Sequence, residues 1–309
     1  MKIITVTLNP AFDMHCYAEN FQPFHENLAT VTACEAGGKG VNISRALLAW
    51  KMDSTAVVAV GEENGEGYLR ALAADGMDVC AISVAGRIRE NITLHTNNAP
   101  ETRISFSGFS ADDGLLASVE KEIAPLVGED TMLAFAGRNP AGVGMDAVKA
   151  MLLRMKARGA RLVIDSRSFG TADILALSPW LIKPNEEEIA AYTDLPAANL
   201  AEAARAAEAL RGKGIENVMI SLGEKGAVLA SADGCFAANA PKIEALSTIG
   251  AGDSAIGGFC AAAARDKSSG ECLQYAVASG SAACMTVGTR PPRNEDIMAL
   301  LGQITVESI

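Results

Sequence analysis

The chain has 309 residues, of which 49% are hydrophobic, and a formal net charge of −11 at pH 7. This composition suffices for a large core, and the negative charge argues against nucleic acid or an acidic membrane as a partner, because both require a basic face. No apolar run reaches the length of a signal peptide or a membrane span. The seven cysteines lack CxxC spacing, which indicates reduced thiols. We therefore expect a cytoplasmic globular protein.

Strands and helices alternate along most of the chain, a pattern typical of a doubly covered, mostly parallel sheet. Strands are predicted at 3–8, 55–61, 131–137, 161–165, 180–184 and 217–222, and a hairpin at 227–238. Helices are predicted at 43–50, 66–74, 112–127, 144–158, 185–192, 200–213, 270–285 and 294–301. No linker divides the chain, so we expect one domain over residues 1–309.

Two segments, at about 12–35 and 86–109, interrupt the alternation with short strand-like runs. They suit a small separate sheet better than core helices, and either a lid or plain surface hairpins would explain them. The second segment carries Arg87, Arg89 and Arg103. Such arginines are usually solvated, and binding of an anion is the alternative.

Residues 250–254 read Gly-Ala-Gly-Asp-Ser and precede a run of small apolar residues. This pattern predicts a helix that begins near Gly252 or Asp253. Its first amides would have no intrahelical partner, and Gly250 and Gly252 would let a ligand approach the backbone, so Gly250, Ala251 and Gly252 form a candidate anion site. Asp253 would either cap the helix or act as a base beside the anion.

A second glycine loop, GGKGVN at 37–42, also precedes a predicted helix. Lys39 and Asn42 add a cation and an amide that could hold sugar hydroxyls or a phosphate. The GxxxxGK[ST] spacing of a P-loop is absent. Asp13 lies just beyond the first strand, at the sheet edge where α/β proteins bind ligands.

Three further stretches follow predicted strands at the same edge. KPNEEE at 183–188 either suits a hydrated Mg²⁺ or is an acidic first helical turn, and the second explanation is sufficient for Glu186 and Glu187. SLGEKG at 221–226 either lies against a nucleotide or makes a tight hairpin. AGRNPAG at 136–142 places Arg138 at the edge.

The order of five motifs resembles the PfkB, or ribokinase-like, sugar kinases from end to end. These motifs are TLNP at 7–10 with Asp13, GGKGVN at 37–42, KPNEEE at 183–188, SLG at 221–223 and GAGDS at 250–254. Within that family the chain is most similar to the 1-phosphofructokinase and tagatose-6-phosphate kinase group. The resemblance implies a three-layer α/β/α sandwich with a mostly parallel central sheet, a small β-sheet lid, and ATP with Mg²⁺ as reactants.

The resemblance also implies residue roles. Asp253 would be the general base, and Gly250, Ala251 and Gly252 would supply the anion hole, as their place at a helix N-terminus also suggests. It implies nucleotide contacts for Lys183, Asn185, Ser221, Gly223 and Gly226, a water-mediated Mg²⁺ contact for Asn185 and Glu188, and sugar contacts for Asp13, Gly38, Lys39 and Asn42. Relatives often hold K⁺ with backbone carbonyls at the places of Ser247, Ile249, Ala283, Gly288 and Arg290.

Two departures concern the acceptor. Relatives usually read GSLPPG where this chain reads GRNPAG at 137–142, and residues 25–29 lack the usual basic residue. We expect Arg89, Arg103 and Arg138 to bind an acceptor phosphate, with Arg138 partly replacing the missing basic residue. The expected reaction is phosphorylation of fructose 1-phosphate at O6. Tagatose 6-phosphate, fructose 6-phosphate, another sugar, or a noncatalytic sugar-phosphate sensor are the alternatives, and a homodimer through the lid is expected.

Overall fold

The computed structural model describes all residues, 1–309, as two sheets with surrounding helices. The strands are β1 (Lys2–Thr7), β2 (Ala11–Ala18), β3 (Thr30–Gly37), β4 (Thr55–Gly61), β5 (Asp78–Val84), β6 (Arg89–Thr96), β7 (Thr102–Ile104), β8 (Thr131–Ala136), β9 (Arg161–Asp165), β10 (Leu181–Ile182), β11 (Asn217–Ser221), β12 (Ala227–Ser231), β13 (Gly234–Ala238) and β14 (Val306–Ser308). The helices are α1 (Lys39–Ala49), α2 (Gly65–Ala74), α3 (Gly114–Ile123), α4 (Met145–Ala157), α5 (Thr171–Leu177), α6 (Glu186–Thr193), α7 (Leu200–Arg211), α8 (Ala251–Ala263), α9 (Ser269–Cys284) and α10 (Asn294–Leu301).

The larger sheet has ten strands in the order β14-β13-β12-β11-β10-β9-β8-β1-β4-β5. Strands β11, β10, β9, β8, β1, β4 and β5 pair in parallel, and β12, β13 and β14 extend the sheet antiparallel. Helices cover both faces, so strands such as β8 are buried throughout. The predicted mostly parallel α/β fold is confirmed.

Successive side chains of β8 enter two separate hydrophobic clusters. Leu133 and Phe135 pack with residues of α2 to α7, whereas Met132 and Ala134 pack with residues of α8, α9 and α10. This division follows from the twofold alternation of strand side chains, and it confirms a three-layer arrangement in which the sheet is the middle layer.

The second sheet has four strands in the order β3-β2-β6-β7. Strand β2 pairs antiparallel with β3 and parallel with β6, and β6 pairs antiparallel with β7. The predicted small second sheet is thus confirmed, and its strands come from the two segments that interrupt the alternation. Apolar side chains of this sheet and its loops are exposed, among them Phe24, Leu28, Val31, Ile104 and Phe106.

The sequence prediction missed some elements. Helix α5 has seven residues, too few for a clear helical period. It follows Gly170, whose N–H donates to the Asp173 carboxylate. Strand β14 has three residues, of which two are exposed, so no apolar pattern marks it. Strand β5, which forms one edge of the main sheet, is also absent from the predicted strands.

All seven cysteines are free thiols in this structure. None of the ten helices combines the length and the apolar character needed to cross a membrane.

Candidate active site

The candidate residues converge because parallel strands end at one edge of the main sheet. Arg138, Asp165, Lys183 and Ser221 lie at or just beyond the ends of β8, β9, β10 and β11. The N-termini of α1 and α8 meet at the same edge, where Asn42 contacts Asp253. Residues more than 200 positions apart therefore share one site.

The glycine turn before α8 exposes backbone amides. Gly250 precedes the helix in the left-handed region, with φ of +79°, a conformation that favours glycine. The N–H groups of Gly252 and Asp253 donate to no protein atom, since they belong to the first helical turn. They form a candidate anion site that only partly matches the predicted one: Gly252 belongs to both, whereas Ala251 N donates to the Thr248 carbonyl oxygen at 3.4 Å and the Asp253 amide was not predicted.

Asp253 does not cap α8, because its side chain makes no capping hydrogen bond. Instead, Asn42 Nδ2 donates to Asp253 Oδ2 at 2.9 Å, which leaves the other carboxylate oxygen available. The Asn42 Oδ1 atom is buried without a partner, so it can accept a hydrogen bond from a hydroxyl. This pair is built to receive an alcohol.

Burial raises the pKa of Asp253 to about 6, and the nearby Asp165 carboxylate acts in the same direction. The cations of Lys39 and Lys183 and the hydrogen bond from Asn42 oppose this increase. A carboxylate with this pKa is ionised near neutral pH yet more basic than a solvated aspartate. Such a group can take a proton from a hydroxyl that becomes more acidic as it reacts.

Asp165, the last residue of β9, is not among the site residues predicted from the sequence. Its Oδ2 accepts a hydrogen bond from Lys39 Nζ at 2.8 Å, and its side chain is only 5% exposed. Burial raises the pKa of Asp165, but Lys183 and Lys39 outweigh it and hold that pKa below its ordinary value. The available signal was a carboxylate that ends a buried strand at the ligand-binding edge.

Lys183 is buried and lies directly beneath the glycine turn. A Cβ on Gly252 would stand only 2.8 Å from Lys183 Nζ. The absence of a side chain at position 252 therefore lets the ammonium group approach the exposed amides and adds positive charge to the anion site.

Asp13 lies on β2 and is held by two donors. Asn91 Nδ2 donates to Asp13 Oδ1 at 2.9 Å, and an Arg103 guanidinium nitrogen donates to the same oxygen at 2.8 Å. Arg103 therefore orients Asp13 in this structure. Gly38 precedes α1 with φ of +138°, which allows the chain to turn sharply from β3 into the helix.

Arg89 and Arg138 differ in their surroundings. Arg89 donates to the carbonyl oxygens of Asn9, Pro10 and Phe106 at 3.3 to 3.4 Å, whereas Arg138 is exposed and makes no hydrogen bond or ion pair. Burial lowers the pKa of Arg89, the Asp13 carboxylate opposes this decrease, and the cations Arg138 and Arg103 lower the pKa further. The three arginines thus lie close enough to form one electropositive region.

A cleft of about 1470 Å³ adjoins the anion site. The predicted nucleotide residues Lys183, Asn185, Ser221, Gly223 and Gly226 line it together with Ala251 and Gly252. Gly226 has φ of +104°, and a Cβ there would overlap the Ala238 carbonyl oxygen. The chain can therefore turn tightly at the wall of the cleft.

Asn185 and Glu188 form a reciprocal cap at the start of α6. Glu188 N donates to Asn185 Oδ1 at 2.8 Å, and Asn185 N donates to Glu188 Oε2 at 3.1 Å. Arg167 Nε donates to Glu188 Oε1 at 2.7 Å. Each of these Asn185 and Glu188 oxygens keeps a lone pair that can accept a hydrogen bond from water. They therefore fit a hydrated divalent cation, which prefers oxygen ligands and retains its waters.

The residues predicted for a monovalent cation lie near the loop after α9. The Thr286 hydroxyl oxygen lies 2.8 Å from the Ala283 carbonyl oxygen and 2.9 Å from that of Arg290, and its single proton can be donated to either of them, so these two carbonyls lie close together. The Ser247 hydroxyl accepts from Ile249 N at 3.2 Å. Gly288 lies beside the side chains of His15 and Glu35 in the four-stranded sheet, and the neighbouring Thr289 and Arg290 donate to Glu35 of β3.

Comparison with known proteins covers nearly the whole chain. A profile of the pfkB family carbohydrate kinases matches residues 10–296. A 1-phosphofructokinase of Escherichia coli strain K12 is 28% identical over 306 residues, 99% of this chain and 98% of that protein. Phosphofructokinase-2 from Escherichia coli, solved with substrates and products, has a TM-score of 0.93 at 25% identity, covering 98% of this chain and 99% of the other. Its structure in complex with potassium gives 0.90 at 25% identity and 98% coverage of both chains.

Proposed function

Because the chain belongs to the pfkB family of carbohydrate kinases and is therefore a phosphotransferase with an alcohol acceptor, we propose that it phosphorylates fructose 1-phosphate at O6 with ATP. The product would be fructose 1,6-bisphosphate. The observation that carries this proposal is the position of Asp253. This buried carboxylate, which is more basic than a solvated aspartate, accepts a hydrogen bond from Asn42, a predicted sugar-contact residue, and lies beside the unpaired amides at the start of α8. The relative named 1-phosphofructokinase supports the choice of acceptor.

The residues suggest how the reaction proceeds. Asn42 donates a hydrogen bond to one Asp253 oxygen, and the other Asp253 oxygen accepts the proton of the acceptor hydroxyl. As this proton leaves, the hydroxyl oxygen of the acceptor attacks the γ-phosphorus, and the bond between the γ-phosphorus and ADP breaks. The amides of Gly252 and Asp253, with the Lys183 ammonium nearby, stabilise charge on the equatorial phosphoryl oxygens. These donors are already in place, so little reorganisation is required.

The acceptor phosphate would bind in the electropositive region. Arg138 is exposed, so it can contact a ligand. Arg89, at the start of β6, donates hydrogen bonds to backbone carbonyl oxygens. Arg103 contributes through Asp13, whose second oxygen would bind a sugar hydroxyl. Tagatose 6-phosphate and fructose 6-phosphate are the competing acceptors, since both are phosphorylated ketohexoses.

The kinase family implies ATP with a divalent metal ion. We propose Mg²⁺ as that ion, reached through water by Asn185 and Glu188, where it would neutralise charge on the nucleotide phosphates. We also propose that the carbonyls of Ala283 and Arg290 contribute to a K⁺ site with Ser247, Ile249 and Gly288. The potassium complex of the structural relative supports this second assignment.

We further propose a homodimer formed through the four-stranded sheet, which would act as a lid. Exposed apolar side chains on this sheet and its loops, such as Phe24, Val31 and Ile104, would be covered by a second copy. Light scattering at micromolar concentration should give twice the monomer mass, and a monomer would contradict the dimer. The free thiols suit a reducing compartment, so we place the enzyme in the cytoplasm.

A coupled ADP-release screen over sugars and sugar phosphates tests the acceptor assignment. Fructose 1-phosphate should give the highest kcat/KM, with fructose 6-phosphate, tagatose 6-phosphate, fructose and ribose below it. A higher value for free fructose or ribose would reject the phosphate pocket. Absence of ADP release with all acceptors, despite saturable binding of a sugar phosphate, would instead identify a noncatalytic sensor.

A further inference from the structure

Four charged side chains meet beneath the glycine turn, and their formal charges balance. Two are the cations Lys39 and Lys183, and two are the carboxylates Asp165 and Asp253. Lys183, Asp165 and Asp253 are buried, whereas the Lys39 side chain is 36% exposed on the open side of the site. The pairing of these groups is selective, because Lys39 binds Asp165 and not Asp253.

The position of Asp165 is set by the sheet. It ends β9 in register with Ala136 of β8, and Gly137 N donates to its carbonyl oxygen at 3.0 Å. Lys39 Nζ binds this fixed carboxylate at 2.8 Å, whereas Asp253 receives its hydrogen bond from the neutral amide of Asn42. Burial lowers the pKa of Lys39, but Asp165 and Asp253 outweigh it and raise that pKa, so the ammonium stays charged.

We propose that Asp165 is a positioning residue that binds the Lys39 ammonium and thereby keeps this cation from forming an ion pair with Asp253. The inference rests on the proposed role of Asp253 as base. An ion pair with Lys39 would make Asp253 a weaker base and cover the oxygen that receives the proton. Held by Asp165, Lys39 remains directed toward the open side of the site, where the acceptor enters.

The surrounding charges support this arrangement. Burial raises the pKa of Asp253 to about 6, Asp165 raises it as well, and Lys39 and Lys183 lower it. These groups come from the end of β9, the start of α1 and the residue after β10. Replacing Asp165 by Asn would leave two cations facing one carboxylate, and Lys39 would lose its nearest partner.

The experiment is a pH profile of kcat for the wild type, Asp165→Asn, and the double variant Asp165→Asn with Lys39→Met. The acid limb of the single variant should move to lower pH by about one unit, with kcat at pH 8 falling roughly tenfold. The double variant removes both charges, so its acid limb should return to near the wild-type position. Asp165→Glu retains the charge and should also keep the limb near its original place.

Two controls separate this effect from a general disturbance. Asp173→Asn removes one of the two carboxylates that pair with Lys149 at 2.8 Å, outside the site, and should leave the limb unmoved. Carboxyl ¹³C NMR of the ligand-free protein, with the Asp253 signal identified by its loss in Asp253→Asn, reports the titration even where turnover is too slow to measure. If Asp165→Asn does not fold, Asp165→Ser removes the same charge.

The outcomes distinguish the two levels of the account. A folded Asp165→Asn protein in which Asp253 titrates at an unchanged or higher pH would overturn the positioning role. The positioning role would also be overturned if the acid limb of the double variant moved as far as that of the single variant. Wild-type turnover by Asp253→Asn would instead reject Asp253 as the base, and the proposed mechanism with it.

Discussion

Asp253→Asn should stabilise the protein while removing its base. Burial raises the pKa of Asp253 from its ordinary 3.8 to about 6, so the folded state disfavours the ionised carboxylate by roughly two pH units. At about 1.36 kcal/mol per unit, this corresponds to roughly 3 kcal/mol at pH 8. The neutral amide avoids that cost, and Asn42 offers it both a donor and an unpartnered acceptor.

The stability difference between Asp253→Asn and the wild type should also depend on pH in a defined direction. The folded carboxyl holds its proton to higher pH than the unfolded one, so this group contributes less stability as pH rises from about 4 to about 6. The stability difference between Asp253→Asn and the wild type should therefore grow over that window, reaching about half of its full value at pH 5 and levelling off by pH 8.

Urea unfolding followed by circular dichroism, from pH 5 to pH 8 at one fixed protein concentration, measures this difference. A fixed concentration is needed because self-association would shift the apparent stability. Titrating groups that do not interact with Asp253 are common to both proteins and cancel in the comparison. A variant that is equally stable or less stable at pH 8, or a difference that does not change with pH, would refute the electrostatic argument.

Four substitutions test the acceptor and anion sites. Arg138→Ala should raise the acceptor KM by roughly tenfold to a hundredfold and leave the KM for ATP unchanged, since a charge-assisted hydrogen bond to phosphate is worth about 1.5 to 3 kcal/mol. An unchanged acceptor KM in both this variant and Arg89→Ala would reject the proposed phosphate pocket. Arg103→Gln should weaken the binding of fructose and of fructose 1-phosphate by similar factors of about tenfold, because Arg103 acts through Asp13. A loss of binding confined to the phosphorylated sugar would instead show that Arg103 binds the phosphate directly. Gly252→Ala should lower kcat by about tenfold or more, because the new methyl group would stand 2.8 Å from Lys183 Nζ and displace this ammonium from the anion site. Wild-type kcat would contradict the anion site.

The sequence was informative where local patterns determine structure. Periodicity located most of the strands, and the strand ends predicted a shared edge for the stretches at 136–142, 183–188 and 221–226 and the motif at 250–254. The contact between Asn42 and Asp253, which lie 211 positions apart, was not predicted. Partner choice depends on side-chain packing that no local pattern records. Arg103 could bind solvent, a ligand or another residue, and the pairing of β2 with β6 and β6 with β7 places it on Asp13. Asp165 was overlooked because a single strand-end carboxylate has no distinctive spacing.

The most direct test of the central claim is turnover of fructose 1-phosphate by the wild type and by Asp253→Asn, with the product identified by ³¹P NMR. The wild type should form a bisphosphate that carries the new phosphate on O6. The variant should fall by roughly two to four orders of magnitude in kcat, with little change in ATP affinity. A variant that turns over at nearly the wild-type rate, or a wild type that forms no bisphosphate, would contradict the account.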